Sequence, residues 1–362
     1  MASFPIGKTV ASLVAGVGTV CLGTALTEKT EDLSTFPPFQ TSFTGSSCYD
    51  LSTFNGRFKS QLLNTSPFLL FNTEEELRSK KKIIDDLKTR FEKGEELEFD
   101  QQQNATLWRD QRIVNAAVHP DTSEIIPMPF RMSGYVPFNG PLAIGMMASS
   151  TTPGLLFFNW ANQSQNAMIN YYNRNASSEM SNGTLAFSYA GAVGSAMLVA
   201  YSLSTIVKRN VPNPSTATKL LRFVAFPSSV MASCLNCYIV RSPEIPPGVP
   251  LLSSTLTPLP LPPSSLAAKQ GVYETVQSRA ILQCPVFLIP PILISTIFKN
   301  ALIRNPAMAV PVTTYLLCVC FGYGLPAANA IYPQISSMKR EDVEEEFRDS
   351  IKEDRVYFNR GL

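Results

Sequence analysis

Histidine is nearly absent from this 362-residue chain: His119 stands alone. A single imidazole excludes a His-rich zinc centre, and any relay through two histidines, built from this chain alone. Charge is scarce as well, at 16% Asp, Glu, Lys and Arg, and the net charge is +2, so no surface basic enough for nucleic acid is expected. No glycine-rich phosphate loop occurs. The seven cysteines are an odd number, and Cys234, Cys237, Cys284, Cys318 and Cys320 fall in or beside uncharged runs, which argues against a disulfide framework. Cys234 and Cys237 form a CLNC pair, but no second pair sits at metal-ligand spacing and no charge in that run lowers a thiolate pKa. They read as small apolar packing residues. The chain therefore presents no catalytic constellation, cofactor motif or metal set, and does not read as an enzyme.

What the sequence has instead is uncharged length. From Met132 to Asn173 there are 42 residues without a charge; further uncharged runs of 28, 18, 19 and 34 residues lie between Glu179 and Lys208, Arg222 and Arg241, Arg279 and Lys299, and Arg304 and Lys339. A bilayer core needs about 20 apolar residues per helix, so five spans are expected within 132–338. Buried helices of a soluble protein seldom carry apolar runs beyond about 14 residues. The fold class is all-α: a polytopic helical membrane protein of about five transmembrane helices, with an amphipathic helical N-terminal region and C-terminal tail.

The first of these runs ends in FFNWANQSQNAMINYYN, crowded with carboxamides. On a helix at 100° per residue, Asn159, Asn162, Gln163, Asn166, Asn170 and Asn173 share an arc of roughly 100°. Unpaired amides in lipid cost several kcal/mol each, so the stripe is expected to face other helices, a wet cavity or a passing solute. Carboxamides donate and accept without a charge that would trap the solute, which suits a small zwitterion. Hydrogen bonding between helices by the same amides is the competing reading. Pro153 with Gly154, Pro290 with Pro291, and Gly322, Gly324 and Pro326 are expected to interrupt spans and free backbone groups near the stripe. No charge lies inside any predicted span, so a buried proton relay is not indicated.

Outside the runs, residues 49–131 are charged and helical in pattern. Asn72 followed by Glu75 and Glu76 marks a helix start, Lys80, Lys81 and Lys82 follow, and Gly94 is a stop. In VHPDT, Pro120 ends the helix carrying Trp108 to Val118, and Asp121 or Thr122 can cap the backbone beyond it. Alternatively, His119, Asp121 and Thr122 form a binding element at the mouth of the membrane part, where His119 can titrate near neutrality. Residues 243–266 hold eight prolines and one charge, the pattern of an extended linker. In the tail, 339–362, the four-residue spacing of Val343, Phe347 and Ile351 predicts an amphipathic helix. Residues 1–48 form an extension whose stretch 9–27 resembles a signal-peptide core or a weak extra span. Sequons stand at Asn64, Asn104, Asn162, Asn175 and Asn182. Counting the 42-residue run as one crossing puts Lys208, Arg209, Lys219, Arg222, Lys299 and Arg304 on the side of 49–131.

Several stretches together resemble the sideroflexin family of mitochondrial carriers: YDLSTFNGRF at 49–58, LWRDQRIVNAAVHPDT at 107–122, PFRMSGYVP at 129–137, TTPGLLFFNWANQSQNAMINYYNRN at 151–175, AAKQGVYETVQSR at 267–279, IYPQISSM at 331–338 and the terminal VYFNRGL. They follow the family's order and span nearly everything from residue 49 onward. The resemblance implies a multi-pass protein of the mitochondrial inner membrane. It further implies that such a protein moves serine and related small neutral amino acids such as alanine and cysteine, in support of one-carbon metabolism, with the lipid bilayer as its surroundings. Some family members resemble scaffold or assembly factors in iron or respiratory homeostasis instead. The residues before Tyr49 and the proline-rich insert depart from the family pattern, which bears on targeting and regulation.

Overall fold

The computed structural model describes residues 6–119, 122–149, 151–172, 182–255 and 257–360. Asp121, Asn173 and the sequon at Asn175 lie outside them, as does the side chain of Asn170. The chain opens with α1 (Ile6–Lys29), a span in its own right rather than an appendage. It lies along the last long helix through small residues: a Cβ on Gly16 would come 2.6 Å from Cys318 Cβ, one on Gly23 would strike the Tyr323 hydroxyl, and one on Gly322 would strike Val20. In lipid no hydrophobic drive joins helices, so close backbone approach supplies the dispersion contact.

The next helices, α2 (Phe54–Asn64), α3 (Glu74–Glu92) and α4 (Gln101–Ala117), form a charged region outside the spans. Thr73, not Asn72, caps α3, in a reciprocal capping box with Glu76, and Gly94 stops the chain at φ +80°. A capping box between Asp100 and Gln103 starts α4. Phe39, fully buried, meets Phe43, Phe99 and Trp108 edge to face. Asn104 is spent holding the segment that carries it: its Oδ1 accepts from the Phe39 N–H at 2.7 Å, its Nδ2 donates to the Pro37 carbonyl at 3.0 Å, and Trp108 Nε1 donates to that carbonyl at 2.9 Å.

The 42-residue uncharged run is not a single span. It divides into a π turn at Tyr135–Asn139, α5 (Gly140–Ala148) and α6 (Thr152–Tyr172). Then come α7 (Asn182–Asn210), α8 (Pro214–Arg241), the short strand β1 (Leu251–Leu252), α9 (Ser265–Gln283), a second π turn at Cys284–Leu288, α10 (Ile289–Ser295), α11 (Lys299–Arg304) and α12 (Ala309–Ile331). Five segments among the described residues are long and apolar enough to cross a membrane: Gly7–Lys29, Ala186–Asn210, Lys219–Glu244, Ser265–Ser295 and Pro306–Ile331. The chain is a polytopic helical membrane protein with five such spans, but their membership differs from expectation: α1 takes the place of the first uncharged run, whose amides hold α6 below the apolarity of the rest.

The proline interruptions also differ. Pro153 sits in the first turn of α6 and Pro290 and Pro291 in that of α10, where a missing N–H costs little. Pro326 lies inside an unbroken α12, and Gly322 and Gly324 are close-approach points, against Val20 and Pro285.

Nor is the tail one amphipathic helix. It forms β2 (Ile335–Lys339), the four-residue α13 (Glu345–Arg348) and β3 (Arg355–Asn359), and β3 is the central strand of an antiparallel sheet in the order β1-β3-β2. The proline-rich segment is therefore anchored rather than free, with Leu251 opposite Phe358. Val343, Phe347 and Ile351 are buried as their spacing implies, in one core with Leu251, Met338, Val356 and Phe358.

Direct bonds sort the helix ends into two groups. At one end, Thr24 of α1 meets Ser66 at 2.9 Å, Arg57 Nε donates to the Ala330 carbonyl of α12 at 2.8 Å, and Arg241 at the end of α8 donates to the Arg360 carbonyl at 2.6 Å. The charged region and the sheet thus share this end. At the far end, Lys208 Nζ closing α7 donates to Thr152 Oγ1 opening α6 at 2.8 Å. So α5 descends from the charged end and α6 returns to it, a hairpin that adds no net crossing. That corrects the sidedness: Lys208, Arg209, Lys219, Arg222, Lys299 and Arg304 lie at the end opposite residues 49–131.

Candidate functional site

Helix α6 is inside out for a lipid-bathed helix. Phe157, Trp160, Met168 and Tyr171 are exposed, while Asn159, Asn162 and Gln163 are buried and Asn166 is half-buried. Lipid takes the aromatic side and neighbouring helices take the amides. Asn159 is satisfied: its Nδ2 donates to the Leu155 carbonyl at 2.8 Å, and its Oδ1 accepts from Ser228 Oγ on α8 at 3.3 Å. Ser228 follows the in-helix Pro227. Next to it, Ser229 Oγ is buried without a partner.

Asn162 and Gln163 differ from Asn159. Each is only 5% exposed, and no side-chain hydrogen bond joins either to another described residue. Neither amide is among the side-chain groups sealed from solvent without a partner, so both keep accessible surface and hydrogen-bonding capacity that no described side chain uses. One helical turn on, Asn166 Oδ1 accepts from Asn139 Nδ2 at 3.3 Å, and Asn139 Oδ1 is itself sealed without a partner.

Residues 128–139 form the wall opposite the C-terminal half of α6. Gln165 Nε2 donates to the Pro129 carbonyl at 2.7 Å, and the Phe130 and Tyr172 rings stack with centroids 5.0 Å apart. Between those anchors and the π turn at Tyr135–Asn139 lie Arg131 and Ser133, both buried. Single π turns inside helices gather at functional sites, because the extra residue opens backbone and re-aims side chains. Arg131, Ser133 and Asn139 were not singled out by composition or periodicity. The available signal was position: Arg131 is the last charge before the 42-residue uncharged run.

Of the VHPDT element, Val118, His119 and Thr122 are described. Ser123 adopts φ +60°, and the loop closes with the His119 N–H donating to the Glu124 carbonyl at 2.8 Å and the Ser123 N–H to the His119 carbonyl at 3.0 Å. The Thr122 N–H donates to His119 Nδ1 at 3.3 Å, which places the ring proton on Nε2. Thr122 Oγ1 accepts from the Glu124 N–H at 3.4 Å, a bond within the loop rather than one to α6. Arg131 joins the two places, its Nε donating to the Ile126 carbonyl at 2.8 Å.

A separate cavity of about 390 Å³ lies where α1 leaves the membrane, between the end of α1 and the segments 63–76 and 109–113. Glu28 faces Arg109 at 3.4 Å and Arg112 at 3.6 Å across it. Behind it, Tyr49 donates to Glu31 at 2.6 Å. Burial pushes the Glu31 carboxyl above its ordinary range, the Tyr49 bond opposing, and drives the Cys48 thiol up to about 11.

A polytopic helical membrane protein with an amide-lined inner face is thus what fold and site define. Residues 44–362 match the family model described as Sideroflexins, and the chain belongs to that family. It is 35% identical to Sideroflexin-5 of Homo sapiens over 329 residues, 90% of this chain and 94% of that protein. It is 33% identical to Sideroflexin-1 of Mus musculus over 321 residues, 87% of this chain and 95% of that protein. No solved structure matches it.

Proposed function

We propose that this chain is a carrier, not an enzyme, that moves serine and related small neutral amino acids such as alanine and cysteine across the mitochondrial inner membrane to feed one-carbon metabolism. Asn159, Asn162, Gln163, Asn166, Asn170 and Asn173 line its path, and His119, Asp121 and Thr122 sit at the mouth. Family membership supports the carrier class. The observation that carries the reading is the pair Asn162 and Gln163, consecutive residues on the inward face of α6 that are largely buried yet make no side-chain hydrogen bond to another described residue and are not sealed from solvent. A small zwitterion offers donors and acceptors that such amides can exchange step by step, with no fixed charge to trap it.

One observation favours a scaffold in iron or respiratory homeostasis instead: Asn159, the most buried amide of the stripe, is committed at both its nitrogen and its oxygen, to Leu155 and Ser228, as a packing residue would be. Serine uptake into liposomes separates the two. Asn162→Ala with Asn166→Ala is expected to cut uptake at least roughly tenfold while abundance and melting temperature change little, since amide contacts between membrane helices average about 0.6 kcal/mol. A well-folded wild type that takes up no serine, alanine or cysteine would sink the carrier reading.

A further inference from the structure

The path just described has no charge in it, yet its proposed solute carries two. Arg131 is a buried cation at the edge of that path. Its residue is 5% exposed, its Nε is spent on the Ile126 carbonyl, and its Nη1 is sealed from solvent without a hydrogen-bond partner. Among the described residues no carboxylate lies within ion-pair distance of it. A buried guanidinium left unpaired is among the more expensive arrangements a protein can hold, and a hydrophobic replacement of similar volume is commonly no worse for stability. Among the described residues only Glu74 acts on it, from beyond ion-pair distance, so its retention calls for a further anionic partner.

Its placement says which partner. Pro129 and Phe130, the two residues before it, are fixed to Gln165 and Tyr172 of α6, and eight residues further on Asn139 reaches Asn166. Arg131 therefore stands at the charged-end mouth of the amide face. Within nine residues, three buried polar atoms are left over: Arg131 Nη1, Ser133 Oγ and Asn139 Oδ1. One is a cationic donor, one a hydroxyl and one a pure acceptor, the complement of a carboxylate, a hydroxyl and an ammonium.

We infer that Arg131 is the carboxylate receptor of this path, holding the carboxylate of a small amino acid while Asn139 Oδ1 accepts from its ammonium. The inference rests on the carrier reading and refines it. The guanidinium fork suits a carboxylate in a way a lysine does not, so Arg131→Lys recovers only part of the binding lost in Arg131→Gln.

The test uses the full-length protein in liposomes and in detergent. With the wild type, L-serine is expected to be taken up and to raise the melting temperature, while L-serinamide and ethanolamine, which lack the carboxylate, neither compete for uptake nor stabilise. Arg131→Gln is expected to raise the KM for serine roughly 10- to 100-fold, the worth of a charge-assisted hydrogen bond. Arg131→Lys should fall between. If serinamide competes as well as serine, or if Arg131→Gln keeps the wild-type KM, the inference is overturned while the carrier reading stands. A wild type that neither binds nor moves any amino acid overturns both. If Arg131→Gln does not fold, the serinamide comparison on the wild type decides alone.

Discussion

Asn104 begins a legible NAT sequon, and its environment shows why a motif is not a site. Both ends of its amide are committed, to the Phe39 N–H and the Pro37 carbonyl, and the side chain is buried. A glycan has nowhere to attach on the folded chain; Asn162 is buried too, on the inward face of α6, though its amide is not committed to a described side chain. Asn104→Ala would leave a buried N–H unpaired, so a loss of about 1–3 kcal/mol is expected, read from denaturant or thermal unfolding in detergent. At Glu31 the raised carboxyl means that the folded state holds its proton more tightly than the unfolded chain. That contribution is fully present below the ordinary value of 4.5 and drains away as pH climbs through the raised folded value. Glu31→Gln keeps the group neutral and can still accept from Tyr49, so the stability of the wild type relative to this variant should fall as pH rises above 4.5; a difference independent of pH would refute it. These consequences depend on what surrounds each side chain, and the sequence displays only what flanks it. Arg131 makes the same point: its place before an uncharged run is visible in the sequence, its partnerless Nη1 is not.

Elements were legible where local chemistry decides them. The Glu-rich first turn of α3 and the stop at Gly94 follow from capping and backbone rules that act within four residues, and only the cap itself shifted, from Asn72 to Thr73. The tail misled because Val343, Phe347 and Ile351 repeat at a helical spacing yet are buried from a short helix and the turns flanking it. The deciding signal was the alternation of Val356 and Phe358, two buried residues on one face of a strand, which needs the distant Leu251 and Met338 to complete its core. The role of α1 was likewise hidden: its apolar window is the most hydropathic of the five, but an apolar run near the N-terminus reads equally as a signal-peptide core, and Gly16 and Gly23 show their use only against α12. Gly322→Leu puts a side chain where Val20 already sits. It should separate α1 from α12 and cost roughly 1–3 kcal/mol or more as an overpacked contact. Gly18→Leu, where a Cβ meets nothing, is the matched control and should melt near the wild type. Equal melting of the two variants would mean that α1 is not held by this interface.

At the scale of the whole molecule, charge is sorted by end. The far end carries Lys8 at the start of α1, then Lys208, Arg209, Lys219 and Arg222 around the α7–α8 turn, and Lys299 and Arg304 in α11, with no acid in 208–222 or 296–305. The opposite end carries the acid-rich region 74–110 and the tail with Glu341, Asp342, Glu344, Glu345 and Glu346. No count made along the sequence reveals this while α5 and α6 pass for one crossing, because each later loop is then assigned to the wrong side; the Lys208 to Thr152 bond shows them as a hairpin. Basic loops stay on the side from which a membrane protein inserts, and a compartment held electrically negative favours them further, by about 2.3 kcal/mol per charge for each 100 mV crossed. For the proposed location, the basic end faces the matrix, and residues 33–131 with the C-terminal sheet face the intermembrane space. Protease added to sealed mitoplasts should then cut within the exposed, lysine-rich face of α3 and leave the 208–222 turn intact until detergent is added. On the proposed path and in this orientation, Arg131 and Thr122 stand at the mouth that meets solute from outside the matrix, so a membrane-impermeant thiol reagent applied to mitoplasts carrying Thr122→Cys should block uptake from that side. Protection of α3 together with cleavage in the 208–222 turn would invert the molecule, and Arg131 would then receive solute leaving the matrix.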